Sequence, residues 1–365
     1  MLYTTPQLDD TLRSELAAFD RLADELDAGA RGAGPWLGSL RRQWQASSAE
    51  SSIEIEGFNV PSEERVPIAS GAQRPDSADA DRMALSCYAR AMDHVGVMAA
   101  DEGFQWVERA ILDLHFDACY FQQDKDPGQY RKTPIAVTSP HGGPPAYVGP
   151  PAAEVRPLMG ETIAWLAHGD PDEHLVVRAA MAHLHVVSVH PFRDGNGRIS
   201  RIVQSLVLAL GGVLAPEFVT IEEYLREHTE EYYAALGEVQ QGAYQPQHDA
   251  LPFVRLCVAA HLAQAQRRLR QLEQAAVRWS YLERLVEDRK WPDRLVIALE
   301  QSLFDGTDRT AYSAEAGVSA PTASNDLRRL LDAGLITQQG RGPATRYIAS
   351  EQLAEQVRRE LDATS

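Results

Sequence analysis

Twelve consecutive residues constrain this chain more than any other stretch: His190-Pro191-Phe192-Arg193-Asp194-Gly195-Asn196-Gly197-Arg198-Ile199-Ser200-Arg201. The apolar run Val186-Val187-Ser188-Val189 ahead of it reads as the end of a buried helix. That helix must stop near His190, because Pro191 disfavours helical geometry in the residue before it. Phe192 can turn inward as a packing anchor. Gly195 and Gly197 flank Asn196, and all three residue types tolerate positive φ, so the chain can turn sharply there. A second helix follows at about 198–211.

Most of the remaining chain shares this helical pattern. Leu12, Leu16, Phe19, Leu22 and Leu26 recur at helical spacing between Leu8 and Ala28. Gly32-Ala33-Gly34-Pro35 breaks the pattern. A second helix is predicted from about Leu37 to Ile55, closed by Gly57. Residues 60–80, rich in Pro, Ser, Asp and Gly, read as a loop. Further helices are expected at about 80–99, 104–121, 151–168, 172–189, 221–241 and 250–290. One hairpin interrupts them: β-prone Thr133 to Thr138, turn material from Ser139 to Pro145, and a returning Ala146-Tyr147-Val148. Beyond residue 291 the pattern changes to short helices at about 292–304, 310–316 and 321–333. A ribbon follows, made of Gly334 to Thr337, a Gly-Arg-Gly-Pro turn at 340–343 and Thr345 to Ile348. Three helices and a ribbon make a winged helix-turn-helix pattern. The expected fold class is mainly α, with one small β-hairpin and this C-terminal domain. The expected division is an N-terminal helical region (1–100), a core (101–245), connecting helices (246–290) and the winged helix (291–365).

Composition narrows the class. The 365 residues suffice for two or three domains with real cores. No run of eighteen apolar residues suggests a membrane span, and the first residues lack the basic-then-apolar pattern of a signal peptide. Cys87, Cys119 and Cys257 are isolated and odd in number, which fits a reducing cytoplasm better than a disulfide framework. A net charge of −17 disfavours nonspecific binding to nucleic acid or anionic membrane. A nucleotide site in such a chain has to supply its own positive field.

The twelve-residue segment supplies one. Its loop can point backbone N–H groups at one spot and leads into a helix N-terminus, which together make an anion cradle. Arg198 and Arg201 are three apart, share a helix face and suit phosphate oxygens. Asp194 beside the cradle suits Mg²⁺, which keeps several waters and takes phosphate ligands. His190 at the lip has a pKa suited to accepting a proton from a hydroxyl. A base, a metal ligand, a cradle and two clamps point to phosphoryl or nucleotidyl transfer. Metal hydrolysis through His183, His185 and His190 fits worse, because His183 and His190 share a helix face and His185 points away. Packing or support is the expected role of His183 and His185.

The segment resembles the complete Fic signature, His-x-Phe-x-Asp/Glu-Gly-Asn-Gly-Arg-x-x-Arg, at every position. The resemblance implies a helical Fic core with the signature between two central helices. It implies transfer of AMP from ATP to a Ser, Thr or Tyr hydroxyl of a target protein, and of the chain itself. His190 would deprotonate the hydroxyl and Asp194 would hold Mg²⁺. The amides of Gly195, Asn196 and Gly197 would hold phosphates, and Arg198 and Arg201 would bind the β/γ end. The hairpin at 134–148 sits where Fic proteins carry a flap that pairs with the target backbone. Pro127 to Arg131 and Pro150 to Val155 resemble the segments that flank it. Tyr232 and Tyr233 fall on the helix that lines the nucleotide pocket near adenine in relatives, against a reading of ordinary core packing.

Ser52-Ile53-Glu54-Ile55-Glu56-Gly57 resembles the family's inhibitory motif, Ser/Thr-x-x-x-Glu-Gly/Asn, within a helix at about 46–57. Glu56 would then pair with Arg201 and restrain the enzyme; in some relatives the same glutamate supports AMP removal. In the winged helix, Thr322, Ser324, Asn325 and Arg328 would be exposed on the second helix of the motif, and Arg341 and Arg346 would lie on the wing. Over 295–350, Arg309, Arg328, Arg329, Arg341 and Arg346 are offset by Glu300, Asp305, Asp308, Glu315, Asp326 and Asp332. A near-neutral domain favours self-association, such as a homodimer, or another protein partner over DNA. The competing readings of the whole chain are a nucleotide-sensing transcription regulator and a Fic enzyme that uses another donor or removes AMP.

Overall fold

The computed structural model describes residues 1–34, 36–138, 144–212, 220–304, 306–340 and 345–364. Pro35, most of the expected flap turn, Asp305 and the wing turn with Arg341 lie outside the described residues. The chain divides into two compact units, Met1–Asp27 with Arg42–Arg268, and Ala28–Arg41 with Leu269–Ser365.

The first unit is helical. Its elements are most of α1 (Asp10–Arg31) and α2 (Trp36–Ile55), then α3 (Ser62–Ala69), α4 (Ala80–Ala100) and α5 (Glu108–Cys119). After a hairpin come α6 (Ala152–His168), α7 (Leu175–Val189), α8 (Asn196–Leu210), α9 (Glu222–Glu227), α10 (Thr229–Gln240) and the first half of α11 (Leu251–Glu287). The centre is α7, where Val176, Ala179, Met181, Leu184, Val186 and Val189 are all buried. A helix apolar on every side can only sit inside a core, and α7 packs against α6 and α8. Helix α8 also packs on α4 and α5, and its Ile199, Ile202, Val203 and Leu206 are buried. On α1 the periodic Leu12, Leu16, Phe19 and Leu26 are buried.

Helix α2 closes with a two-bond turn: Phe58 N–H donates to Ile53 O at 3.1 Å and Gly57 N–H to Glu54 O at 3.0 Å. Gly57 has φ +91°, which a side chain would resist, so the helix ends with Glu56 as its last turn. The hairpin pairs β1 (Ala136–Val137) with β2 (Tyr147–Val148), Ala136 opposite Val148. Val148 also bridges Ala243 in parallel on its other side.

Two departures from the sequence expectation stand out. Residues 60–80 contain α3 rather than only loop. Glu63 and Glu64 sit in its first turn, where they favour the helix dipole, and Ile68 is buried. Pro67 removes one amide, yet Ser70 N–H still donates to Val66 O at 2.9 Å. The 221–241 helix is broken into α9 and α10 at His228.

The second unit holds α12 (Leu295–Ser302), α13 (Arg309–Glu315), α14 (Ala320–Asp332), β3 (Ile336–Gln339), β4 (Arg346–Ala349) and α15 (Glu351–Thr364). Strands β3 and β4 are antiparallel, with Ile336 opposite Ala349, and Thr307 adds a bridge to Tyr347. Asp326 on α14 is the buried hub, accepting from Arg294 at 2.7 Å and from the Tyr312 hydroxyl at 3.0 Å. Helix α15 follows the expected ribbon and buries Leu353 and Val357.

Candidate active site

The loop between α7 and α8 is held from several sides. Helix α7 ends at Val189, and His190 takes a left-handed conformation, φ 50° and ψ 58°. For a residue with a side chain this is strained backbone. His190 Nδ1–H donates to Val187 O at 3.0 Å, which leaves Nε2 as the basic nitrogen. Burial pushes the His190 pKa below the ordinary histidine value, so the ring is neutral near pH 7.

Phe192 is fully buried and stacks on His115, centroids 3.5 Å apart. The Asn196 side chain clasps its backbone, accepting from Phe192 N–H and donating to Phe192 O, both at 2.9 Å. His115 Nδ1 accepts from Gly128 N–H at 2.8 Å, and its Nε2–H donates to Asp194 O at 3.0 Å. Burial lowers its pKa to about 4, so the tautomer stays fixed. Gly195 has φ +73°, and a Cβ there would meet Cys119 Sγ at 2.3 Å.

The turn differs from the sequence expectation in one respect. Gly195 carries the left-handed conformation; Asn196 and Gly197 are already the first residues of α8. Gly195 N–H donates to Asp194 Oδ1 at 2.6 Å. The first intrahelical bond is Ile199 N–H to Gly195 O at 3.0 Å. The cradle is therefore a helix N-terminus, whose first amides have no intrahelical acceptor.

Arg198 is fully buried. It donates to Gln122 Oε1 at 2.8 Å and lies over the rings of Phe58 and Phe121. Arg201 is 1% exposed and donates to Ser52 Oγ at 2.8 Å, Ser52 O at 3.0 Å and Glu56 Oε1 at 2.9 Å. Its Nη1 has no hydrogen-bond partner among the described residues. A Cβ on Gly197 would lie 2.4 Å from Glu56 Oε1 and 3.1 Å from that Nη1. A carboxylate thus sits over the first turn of α8, against a buried guanidinium with a donor to spare. Burial opposes the Arg201 charge, but Glu56, with Tyr232 and Tyr88, more than offsets this, and its pKa is raised.

Asp194 Oδ2 accepts from Gln122 at 2.9 Å and Oδ1 faces Arg198 at 3.3 Å. Among the described residues no cluster of three or more His, Cys, Asp and Glu could hold a metal ion. A single carboxylate, 35% exposed beside an anion cradle, fits Mg²⁺ of the kind that keeps its waters and binds substrate phosphates.

Tyr232 and Tyr233 divide. Tyr232 is 2% exposed and its hydroxyl donates to His183 Nε2 at 3.1 Å. His183 Nδ1–H continues to Gln204 Oε1 at 2.6 Å. Burial lowers the His183 pKa to about 3, consistent with a neutral packing histidine. His185 is equally buried, edge-on to Trp165. Tyr233 is half exposed, and burial together with the Glu56 carboxylate pushes its phenol up. Of the two, only Tyr233 is exposed to solvent, while the Glu56 charge reaches both.

Two supporting residues escaped the sequence reading, and a third, Arg131, entered it only as the end of the segment Pro127 to Arg131. Gln122 bridges Asp194 and Arg198, and His115 fixes the loop. Arg131, 3% exposed, donates to His190 O at 2.8 Å, Thr133 O at 3.0 Å and Pro150 O at 2.6 Å. It ties the base to both ends of the hairpin. No local signal marks Gln122 or His115, since their partners lie 72 and 79 residues away.

Residues 105–208 match the Fic/DOC family model. The chain is 25% identical over 177 residues to protein adenylyltransferase Fic of Nematostella vectensis, covering 45% of this chain and 37% of that protein. It is 31% identical over 146 residues to the Culex quinquefasciatus protein of the same name, covering 40% of this chain and 25% of that one. The chain thus spans between 25% and 37% of the length of these curated relatives. A Fic family protein from Desulfovibrio desulfuricans G20 superposes with TM-score 0.60 at 21% identity, covering 96% of this chain and 99% of that one. Fic-1 (residues 134–508) from C. elegans gives TM-score 0.54 at 22% identity, covering 73% and 74%. The helical architecture is thus the Fic fold, and the similarity to the Fic/DOC family model spans residues 105–208.

Proposed function

We propose that this chain is a protein adenylyltransferase, moving AMP from ATP to a Ser, Thr or Tyr hydroxyl of a target protein, itself included. The observation that carries the reading is one loop that places a neutral His190 beside Asp194, the α8 N-terminus and two buried arginines. The relatives named protein adenylyltransferase support the transferase class and ATP as donor.

In this reading the amides at the start of α8, Arg198 and the spare donor of Arg201 orient the ATP phosphates. Asp194 would hold Mg²⁺, which supplies charge neutralisation on the phosphates when bound. The target hydroxyl gives its proton to His190 Nε2 as its oxygen bonds to Pα. The Pα–O–Pβ bond breaks, and pyrophosphate leaves with the electron pair. The hairpin at 134–148 would hold the target backbone by strand addition. Glu56 occupies the position the γ-phosphate needs at Arg201, which makes α2 an autoinhibitory helix, with Ser52 and Gly57 setting its register.

The functional division follows the sequence reading: inhibitory helix at about 46–57 within 1–100, catalytic core 101–245, connecting helix region 246–290 and winged helix 291–365. The winged helix serves a protein partner or self-association ahead of DNA. Among the described residues no helix is long and apolar enough to cross a membrane, and a cytoplasmic location fits the free cysteines.

The test uses ATP labelled at the α- or the γ-phosphate with wild type, Glu56→Gly and His190→Ala. Protein-bound α-label without γ-label, strongest in Glu56→Gly and lost in His190→Ala, is expected. Retained γ-label would overturn nucleotidyl transfer in favour of phosphoryl transfer.

A further inference from the structure

A cavity of about 290 Å³ opens beside the hairpin, lined by Asp126, Tyr130, Arg131, Lys132, Thr133 and Arg193. Its charge runs against the rest of the molecule: three cations face one carboxylate in a chain of net charge −17. The three cations play different parts. Arg131 spends its Nε, Nη1 and Nη2 donors on backbone carbonyls, so it contributes field rather than contact. Arg193 is 45% exposed and pairs with Asp126 through Nη1 at 2.8 Å. Lys132 is exposed and forms no ion pair with any described residue.

The cavity adjoins a free strand edge. Gly149 N–H donates to Ile135 O and Ala146 N–H to Val137 O, so these carbonyls face β2. Alternation then puts the backbone groups of exposed Ala136 on the outer edge of β1. Thr133 lies three residues before Ala136, about 10 Å along an extended chain. Arg193 brings the other wall three residues after His190. Arg131 in the cavity wall donates to His190 O at 2.8 Å, so a peptide that continues from β1 toward Thr133 runs toward both the cationic cavity and the base.

We propose that this cavity is a specificity subsite for an acidic side chain of the acceptor polypeptide, about three residues along the strand from the one that pairs with Ala136. It rests on the proposed transfer to a target held by the hairpin, and names the chemistry of that target. Lys132 is the contact residue, Arg193 its neighbour, and Arg131 supplies background charge.

The experiment uses the 365-residue Glu56→Gly protein without nucleotide, and fluorescent extended peptides with one threonine. Each peptide carries Asp, Ala or Lys at one of the successive positions on either side, and binding is read by anisotropy. At one register Asp should bind about fivefold tighter than Ala, as a partly exposed charge pair provides, and Lys more weakly. Lys132→Arg should keep this order and Lys132→Glu should reverse it. Absence of any register where Asp outbinds Lys, including absence of binding, or an order unchanged in Lys132→Glu, overturns the subsite. Because the readout needs no transfer, a charge preference without AMP transfer refutes the enzyme reading alone. AMP transfer to protein without any charge preference refutes the subsite alone.

Discussion

Replacing Glu56 with glycine removes the carboxylate that faces Arg201 at 2.9 Å and leaves the rest of the arginine's bonding in place. Arg201 keeps both contacts to Ser52. The helix end tolerates the change, since Glu56 is already its last turn ahead of Gly57 at φ +91°. A hydrogen bond to a charged group contributes about 1.5–3 kcal/mol, and each 1.4 kcal/mol is about tenfold in an equilibrium. Releasing Arg201 for a γ-phosphate should therefore raise the rate at fixed ATP by about ten- to a hundredfold. Glu56→Gln, which keeps a hydrogen-bonding oxygen but not the charge, should fall between. The assay is the initial rate of label transfer from ATP onto protein with Mg²⁺ present. Circular dichroism verifies that each variant is folded. A Glu56→Gly rate within about threefold of wild type would refute the reasoning, because the contact would then hold nothing back.

Three further outcomes follow. Transfer needs neutral His190, whose pKa burial lowers below 6.5, so the rate should be flat above pH 7 and fall only below that value; a rate that still climbs between pH 7 and 8.5 would contradict His190 as base. His115, His183 and His185 have folded pKa values lowered to about 4, 3 and 3 by burial. The unfolded chain therefore binds more protons below pH 6.5. Their stability is fully present above 6.5 and is lost as pH falls, by about 1.4 kcal/mol per unit for each histidine. Melting temperature should drop steadily from pH 6.5 to 5, and a flat profile would contradict their neutral burial. Gly195→Ala forces a side chain into φ +73° and against Cys119 Sγ, costing about 2 kcal/mol or more. It should lower the melting temperature by about 4–8 °C, with partial recovery in Gly195→Ala/Cys119→Ala; full stability of the single variant would contradict the close packing.

What the sequence made legible is what lies in local spacing. The buried α7 announces itself in continuous apolar residues, and α1 in its periodic leucines. The stretch from His190 to Arg201 carries its donors, carboxylate and turn residues within one loop and one helix turn. What stayed hidden depends on partners far along the chain. Asn196 looks like a turn residue, but its amide is spent on Phe192, and the turn itself falls to Gly195. Gln122 and His115 acquire their parts only when α5 and the segment after it pack beside the loop. Helix α3 was masked by Pro61 and Pro67, whose effect on propensity is outweighed by burial of Ile68. The break at His228 sits in a stretch whose polar and apolar residues fit one helix or two.

The most direct test of the central claim is the intact mass of purified Glu56→Gly protein after incubation with ATP and Mg²⁺, beside the same protein carrying His190→Ala. The account predicts a gain equal to one or more AMP units in the first and none in the second. A gain of phosphate alone, or an AMP gain that survives His190→Ala, would contradict it.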